Sequence, residues 1–420
     1  CVLVGLWPMY ATVSSRFRNI KCFLQRSFPR NSHTLHTKVD VCILGGGLVG
    51  SALASSLSSP SSLPGLSLAL IGPQSPVRSS HNDISRICDS KLGDHADTSR
   101  EFKAIEEKSG VPFFSPVGYV EVGTMSSTID GIHPQSSPLQ VGVGDLNIDI
   151  GGIGGKGIEE VAGGEACIWQ REFAGYINPI SHVHAHRSIT IANGGEVFDD
   201  VALSATRSNS GTGWIVTTEG GTTVEAEKVA ICGGAWGDEV HLPKDVEEAG
   251  REKGEEVVGG VRLWGKTVFH ARVPAEIKGM PCYLVHYKDS MAPEGGVEYS
   301  GEKKGFYVYG FPPIEYDKGE WYMKLGHSPH DPLIDGLQEL EKWMAGDEDW
   351  RETQRQSEEF LKMEFLRLFP GIPIDEETSY ASHCVTTRTG TGGVFIGEIK
   401  DGLYKCVGCN GGGAAQAGSR

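Results

Sequence analysis

The apolar positions of this chain fall into short continuous runs broken by glycine-rich turns, which is how strands buried on both faces read. The first run, Val39, Val41, Ile43 and Leu44, predicts a strand; Gly45, Gly47 and Gly50 follow at G-x-G-x-x-G spacing and lead into a helix. The turn-rich stretch Ser58–Gly65 runs into a second strand over Leu66–Ile71, so a parallel βαβ unit is the economical arrangement. A helix end is predicted over Glu101–Ser109 and a strand over Gly118–Val122. Runs at Gly195–Val201, Gly213–Thr218 and Val224–Cys232 predict a strand meander, closed by the tight turn Gly233–Trp236. Arg262–Val273, Tyr307–Phe311 and Trp321–Leu325 form a second β-rich stretch, and helical periodicity returns at Leu333–Met344 and Arg351–Phe369. A last strand, Leu403–Val407, ends in the small residues Gly408–Gly413, while Gly142–Gly164 reads as an exposed insertion.

The glycines of the first turn have separate tasks. One permits the sharp turn, the next lets backbone N–H groups approach a pyrophosphate, and the third lets the helix pack on its strand. The helix N-terminus then presents unpaired amides and its positive dipole end to the phosphates. This predicts a dinucleotide held at Gly45, Gly46, Gly47, Leu48, Val49 and Gly50. Such units ordinarily end their second strand on Asp or Glu, which grips the adenosine ribose. Here Gly72 and Pro73 occupy that place, so the ribose contact must be made differently, and a 2′-phosphate-specific cofactor is not indicated.

A net charge of −16 and the lack of a basic stripe interleaved with aromatics argue against nucleic acid as a partner. The acidic run Glu247, Glu248, Glu252, Glu255 and Glu256 reads as a solvated loop. Before Asp40 the chain has no acidic residue and carries Arg16, Arg18, Lys21, Arg26, Arg30 and Lys38, the composition of an organelle transit peptide, with Met9 the expected start. A mitochondrial location is the first expectation and a plastid or cytoplasmic one the second. No stretch is long enough to span a membrane as a helix. The ten cysteines offer no disulfide framework, and Cys406 with Cys409 lacks a second ligand pair, so no metal is expected.

The three glycine-rich turns, early, middle and late, resemble the flavin lobe of the FAD-dependent D-amino-acid-oxidase (DAO) superfamily. The branch most similar is that of sarcosine oxidase, pipecolate oxidase and N-methyltryptophan oxidase, and the resemblance covers Lys38–Ala415. Three further segments carry it. Ser79–Ile87, SSHNDISRI, is similar to the Ser-His-x-x-x-x-Arg-Ile signature that these oxidases place beside the flavin, with Ser80, His81 and Arg86 at the matching positions. A fixed guanidinium there would stabilise the negative charge of a reduced flavin. Tyr309-Gly310-Phe311-Pro312 and Lys324-Leu325-Gly326 are similar to the family's YGFP and KLG elements. They imply a tyrosine lining the substrate pocket and a lysine over the flavin that helps oxygen accept its first electron. His383–Gly397, with Thr387, Thr389, Phe395 and Ile396, resembles the C-x-x-T-x-T segment, which implies a thioether from Cys384 to the flavin ring.

The resemblance implies an α/β fold, α+β overall: a doubly wound FAD/NAD(P)-binding domain interleaved with an antiparallel β-sheet substrate domain. Residues 1–38 are then a transit peptide or tail. Residues 39–125, 176–240 and 371–420 supply the FAD-binding parts, the last truncated; 126–175 is an insertion with part of the substrate lobe, and 241–370 is the substrate lobe with helices. The implied catalytic residues are Lys324, Tyr309, Arg86 and His81. FAD would contact Ser80, His81, Arg86, Val201, Gly233, Gly234, Trp236, Cys384, Gly408, Asn410, Gly411, Gly412 and Gly413 besides the first turn. The implied reaction takes hydride from a C–H beside a secondary or tertiary amine nitrogen to flavin N5; the imine hydrolyses, and oxygen reoxidises the flavin to give hydrogen peroxide. Two alternatives are a dehydrogenase that passes electrons to a carrier protein and a non-catalytic flavin-binding organelle assembly factor. No acid or base catalyst is demanded, and His327 is left without a proton-transfer role. Asp89 and Ala415 stand where the family carries an Arg and a Lys for the substrate carboxylate, which puts a small amino-acid substrate in doubt.

Overall fold

The computed structural model describes residues 36–73, 83–88, 95–122, 139–141, 167–170, 174–209, 211–258, 260–277, 279–287, 306–390 and 394–408. The stretch read as a transit peptide lies outside them except for its last residues. So do the Gly142–Gly164 insertion, Ser80, His81, Asp89, Cys409, Asn410, Gly411, Gly412, Gly413 and Ala415.

Strand β1 (His36–Leu44), helix α1 (Leu48–Leu57) and β2 (Leu68–Ile71) form the expected βαβ unit, with β1 and β2 parallel. All of β2 and the end of β1 are buried, because helices and neighbouring strands leave neither face to water. The chain continues through β3 (Arg86–Cys88), α2 (His95–Ser109), β4 (Phe114–Ser115), β5 (Tyr119–Val122), β6 (Leu139–Val141), β7 (Cys167–Gln170), β8 (Gly175–Ile177) and α3 (Pro179–Ala192). It returns to the first sheet with β9 (Glu196–Phe198), β10 (Ala202–Arg207), β11 (Trp214–Thr218) and β12 (Thr223–Ile231). The parallel core runs β9-β2-β1-β12, and β20 (Leu403–Val407) adds to β12 in parallel on the far side.

The meander differs from the sequence expectation. Gly195–Val201 contributes only β9, which pairs with β2, and the antiparallel set is β10, β11 and β12. Strand β10 went unread because its sequence, ALSATR, buries only Ala205 and so has no apolar alternation to detect.

Beyond a 3-10 turn at Gly234–Glu239, the acidic run is a helix, α4 (Lys244–Val258), rather than a loop. Val246 buries against the first sheet and Gly250 approaches Ile399, while Glu247, Glu248 and Glu252 stay in water. The remaining elements are β13 (Val261–Arg272), β14 (Cys282–His286), β15 (Tyr307–Asp317), β16 (Glu320–Gly326), β17 (Leu333–Ile334), α5 (Gly336–Ala345), α6 (Glu348–Leu368), β18 (Asp375–Thr389) and β19 (Phe395–Lys400). Leu333 and Ile334, expected as the start of a helix, instead pair with Trp264 and Leu263; the helix begins after Asp335.

The second sheet runs β17-β13-β16-β15-β14-β5-β7-β6, with β18 along the other edge of β13. It is antiparallel except where β14 meets β5. By strand membership, Tyr119–Val122 and Asp375–Thr389 belong to this sheet, whereas the sequence reading grouped both with the FAD-binding parts. Partner strands distant in sequence decide their placement, since β18 pairs along nearly the whole of β13.

Because side chains alternate across a strand, the second sheet has two distinct faces. One carries Val120, Tyr283, Val285, Val308, Met323, Leu325 and Phe269, and packs against Leu361, Phe365 and Leu368 of α6 as the largest core cluster. The opposite face carries Glu121, Leu284, Tyr309, Phe311, Lys324, His270 and Cys384, the residues of the candidate site.

Candidate functional site

The first glycine turn has the form a dinucleotide requires. Gly45 has φ +105°, and a Cβ there would stand 2.5 Å from the Cys232 carbonyl oxygen. A Cβ on Gly50 would overlap the Gly45 carbonyl oxygen, so only glycine brings α1 this close to β1. Helix α1 has no side-chain cap after Gly47 and no acidic residue in its first turn, which leaves the first amides, at Leu48, Val49 and Gly50, suited to an anion. Gly233 packs on Gly237, and the Trp236 indole nitrogen is buried without a partner among the described residues. This tight, uncapped cradle with an orphan donor fits a dinucleotide such as FAD.

Arg187 of α3 was missed by the sequence reading. Its Nη2 donates to the carbonyl oxygens of Gly72 at 2.9 Å, Pro73 at 3.1 Å and Gly46 at 3.3 Å. It ties the first glycine turn to the end of β2, where a ribose-binding carboxylate is absent. Its only advance sign was an arginine in an otherwise apolar and histidine-rich helix, HVHAHR. Beneath it, His186 and His182 share an Nε2···Nε2 contact of 2.9 Å, and His186 Nδ1 lies 2.6 Å from Ser55 Oγ of α1. Burial holds His186 at about 4 and His182 well below its ordinary pKa.

Phe311, Lys324, His270 and Tyr380 are successive partners across β15, β16, β13 and β18. Lys324 is 2 % exposed, with its Nζ 4.4 Å from the Phe311 ring centre. The ammonium forms an ion pair with Asp83 and donates to Ser85 Oγ at 2.7 Å and Ser85 O at 3.2 Å. Arg86 meets the same carboxylate at 3.1 Å, and Tyr316 donates to its other oxygen at 3.1 Å. Burial would raise the Asp83 pKa, but Lys324 and Arg86 hold it well below the usual carboxylate range. Burial and Arg86 lower the Lys324 pKa, against the opposing pull of Asp83. His270 stacks on Tyr380 at 4.5 Å, and burial drives it down to about 3, leaving it neutral.

Arg86, Tyr309, Lys324 and Cys384 are thus brought together, and the Arg86 guanidinium acts to lower the pKa of the other three. Burial raises the Cys384 thiol pKa while Arg86 opposes it. Tyr309 lies over Gly326, whose missing side chain makes room for its ring. Val201 is exposed on the turn after β9, with its amide bound to Asp200 Oδ1 and its carbonyl oxygen accepting from the Glu219 amide at 2.9 Å. Gly234 has φ +59° in the 3-10 turn, and Gly408 follows β20 with φ +84°. His327, to which the sequence assigns no proton-transfer role, is buried with its Nδ1 2.7 Å from Tyr307 O and its ring stacked on Phe306. Asp83, Ser85, Tyr316 and His270 were also missed. Asp83 lay inside the matched signature, at a position that signature leaves open.

A glycine turn on a parallel sheet, together with a second sheet that buries a lysine on its site face, fits a dinucleotide-binding protein. The chain belongs to the FAD dependent oxidoreductase family (DAO), whose profile matches residues 40–419. It is an enzyme of that family. No curated protein sequence matches it. Among solved structures it is similar to NikD, an unusual amino acid oxidase essential for nikkomycin biosynthesis, at 14 % identity and TM-score 0.61 over 91 % of this chain and 94 % of that one. Glycine oxidase from Bacillus cereus gives 13 % and 0.57 over 91 % and 92 %. L-proline dehydrogenase from P. horikoshii gives 13 % and 0.57 over 92 % and 91 %. At these identities the likeness is one of fold.

Proposed function

We propose that the enzyme oxidises the C–N bond of a secondary or tertiary amine or amino acid, with oxygen as acceptor and hydrogen peroxide as product. The observation that carries this reading is the buried Lys324 ammonium on the same sheet face as Tyr309 and Cys384. Bound FAD would supply the hydride-accepting chemistry. The chain's own part is to orient and to set charge. The glycine turn and the α1 amides would hold the pyrophosphate, Arg86 and Lys324 would place positive charge where negative charge develops, and Tyr309 would wall the substrate pocket. Cys384 is the residue for a covalent flavin link, and its place among these groups supports that role. A mitochondrial location belongs to the same reading, supported by the acid-free basic composition ahead of Asp40.

The test is the absorption spectrum of purified protein before and after acid precipitation. Flavin kept in the pellet and lost in Cys384→Ala supports the covalent link; flavin released to the supernatant removes it. Peroxide release is then screened with N-methyl amino acids and cyclic amines. Lys324→Met is expected to slow turnover with oxygen far more than with an artificial electron acceptor; equal slowing with both would favour a dehydrogenase.

A further inference from the structure

Among the described residues, the charge of Lys324 is balanced by Asp83, which the sequence signature leaves unspecified. Asp83 accepts from the Ile84 amide at 2.7 Å, from Tyr316 at 3.1 Å and from Arg86 at 3.1 Å, and it pairs with Lys324. The carboxylate is therefore pinned from its own loop, from β3 and from β15, and offers a fixed oxygen to β16. The ammonium can reach it only from the sheet face that also carries Phe311 and His270. His270, the cross-strand neighbour, is held neutral by burial and so adds no like charge. The other charged or titratable groups that act on Lys324 among the described residues are Arg86, of like charge, and the Cys384 thiol; Tyr309, Tyr316 and Tyr380 stay protonated because burial raises each of them.

We propose that Asp83 is a positioning residue that fixes both the location and the charge of the Lys324 ammonium on the pocket face of the second sheet. Two cations share one buried carboxylate, which leaves a single net positive charge. Without Asp83, burial and Arg86 would both act to strip the proton from Lys324. Ser85 offers only neutral oxygens to the same ammonium and cannot replace a charge.

This inference rests on the proposed role of Lys324, but its test does not need turnover. The ionisation of Lys324 is followed by NMR of labelled lysine Cε groups across pH, the resonance being assigned by its loss in Lys324→Met. In Asp83→Asn the midpoint should fall by about one pH unit or more, a roughly tenfold change in the ionisation constant. Ser85→Ala should move it far less. An unchanged midpoint in Asp83→Asn overturns the proposal. If Asp83→Asn alone does not fold, the Asp83→Asn/Lys324→Met double variant decides: folding restored by removal of the ammonium supports the pairing, and an equally unfolded double variant overturns it. In holoprotein, sulfite affinity for the flavin should acquire a pH step at the displaced midpoint that the double variant lacks. Wild-type protein that holds no flavin would overturn the proposed function while leaving the NMR result to judge Asp83.

Discussion

Gly326 and Tyr309 are partners across β15 and β16, and a Cβ on Gly326 would stand 2.6 Å from both the ring Cζ and the hydroxyl oxygen of Tyr309. The glycine of the KLG element therefore makes room for the tyrosine of the YGFP element.

Gly326→Ala should push the Tyr309 ring out of place. The expected result is a stability loss of roughly 1–3 kcal/mol, the range for overpacking, with a larger effect on KM than on protein yield. Thermal melts and substrate kinetics check it; an unchanged KM would show that Tyr309 does not meet the substrate.

Arg187→Met removes the donor shared by Gly46, Gly72 and Pro73. A loss of about 3 kcal/mol of stability is expected for a charged donor serving buried acceptors. Because the glycine turn loosens, flavin affinity should fall roughly tenfold or more. Urea denaturation and flavin release into ultrafiltrates measure the two effects.

Stability should fall in mild acid through the buried histidines. His182, His186, His270, His327 and His383 are held neutral by burial, with His186 and His383 at about 4 and His270 at about 3. Below about pH 6.5 the unfolded chain takes up protons that the folded chain refuses. Their contribution is therefore complete above that pH and is lost as pH falls toward the folded values, by up to about 1.4 kcal/mol per pH unit for each histidine. Urea denaturation at a series of pH values checks this, and His186→Gln should flatten the slope between pH 6.5 and about 4.

Lys266 and Asp331 form a buried pair at 2.9 Å, with side-chain exposures of 6 % and 0 %. Asp331→Ala strands the ammonium and should cost about 3–5 kcal/mol, whereas Lys266→Met/Asp331→Leu should recover most of it. A double-mutant cycle in urea gives the coupling directly. If the single and double variants are equally unstable, Asp331 contributes by accepting from the Thr267 and Ser328 amides rather than through its charge.

Burial and Gly/Pro punctuation made much of this protein legible. Strand β2 and the end of β1 announced themselves because a strand covered on both faces must be continuously apolar, while β20 was marked by Leu403 and Val407 ahead of a glycine run. Strand β10 and helix α4 were misread because one side of each faces water, and a polar exposed surface carries little local signal. Leu333 and Ile334 fit a helix by period, and the edge of β13 claimed them as a strand instead.

The sequence by itself determined the βαβ turn and the family and singled out Lys324, Tyr309 and Cys384 as candidates, since each reading rests on residues close together in the chain. Only the tertiary structure decided what surrounds them. Asp83 meets Lys324 across 241 positions, and Arg187 meets Gly46 across 141. Neither pairing has a local pattern. Buried charges take their partners from whichever strands and helices the packed sheets bring alongside them, and strand pairing across the whole chain sets that choice.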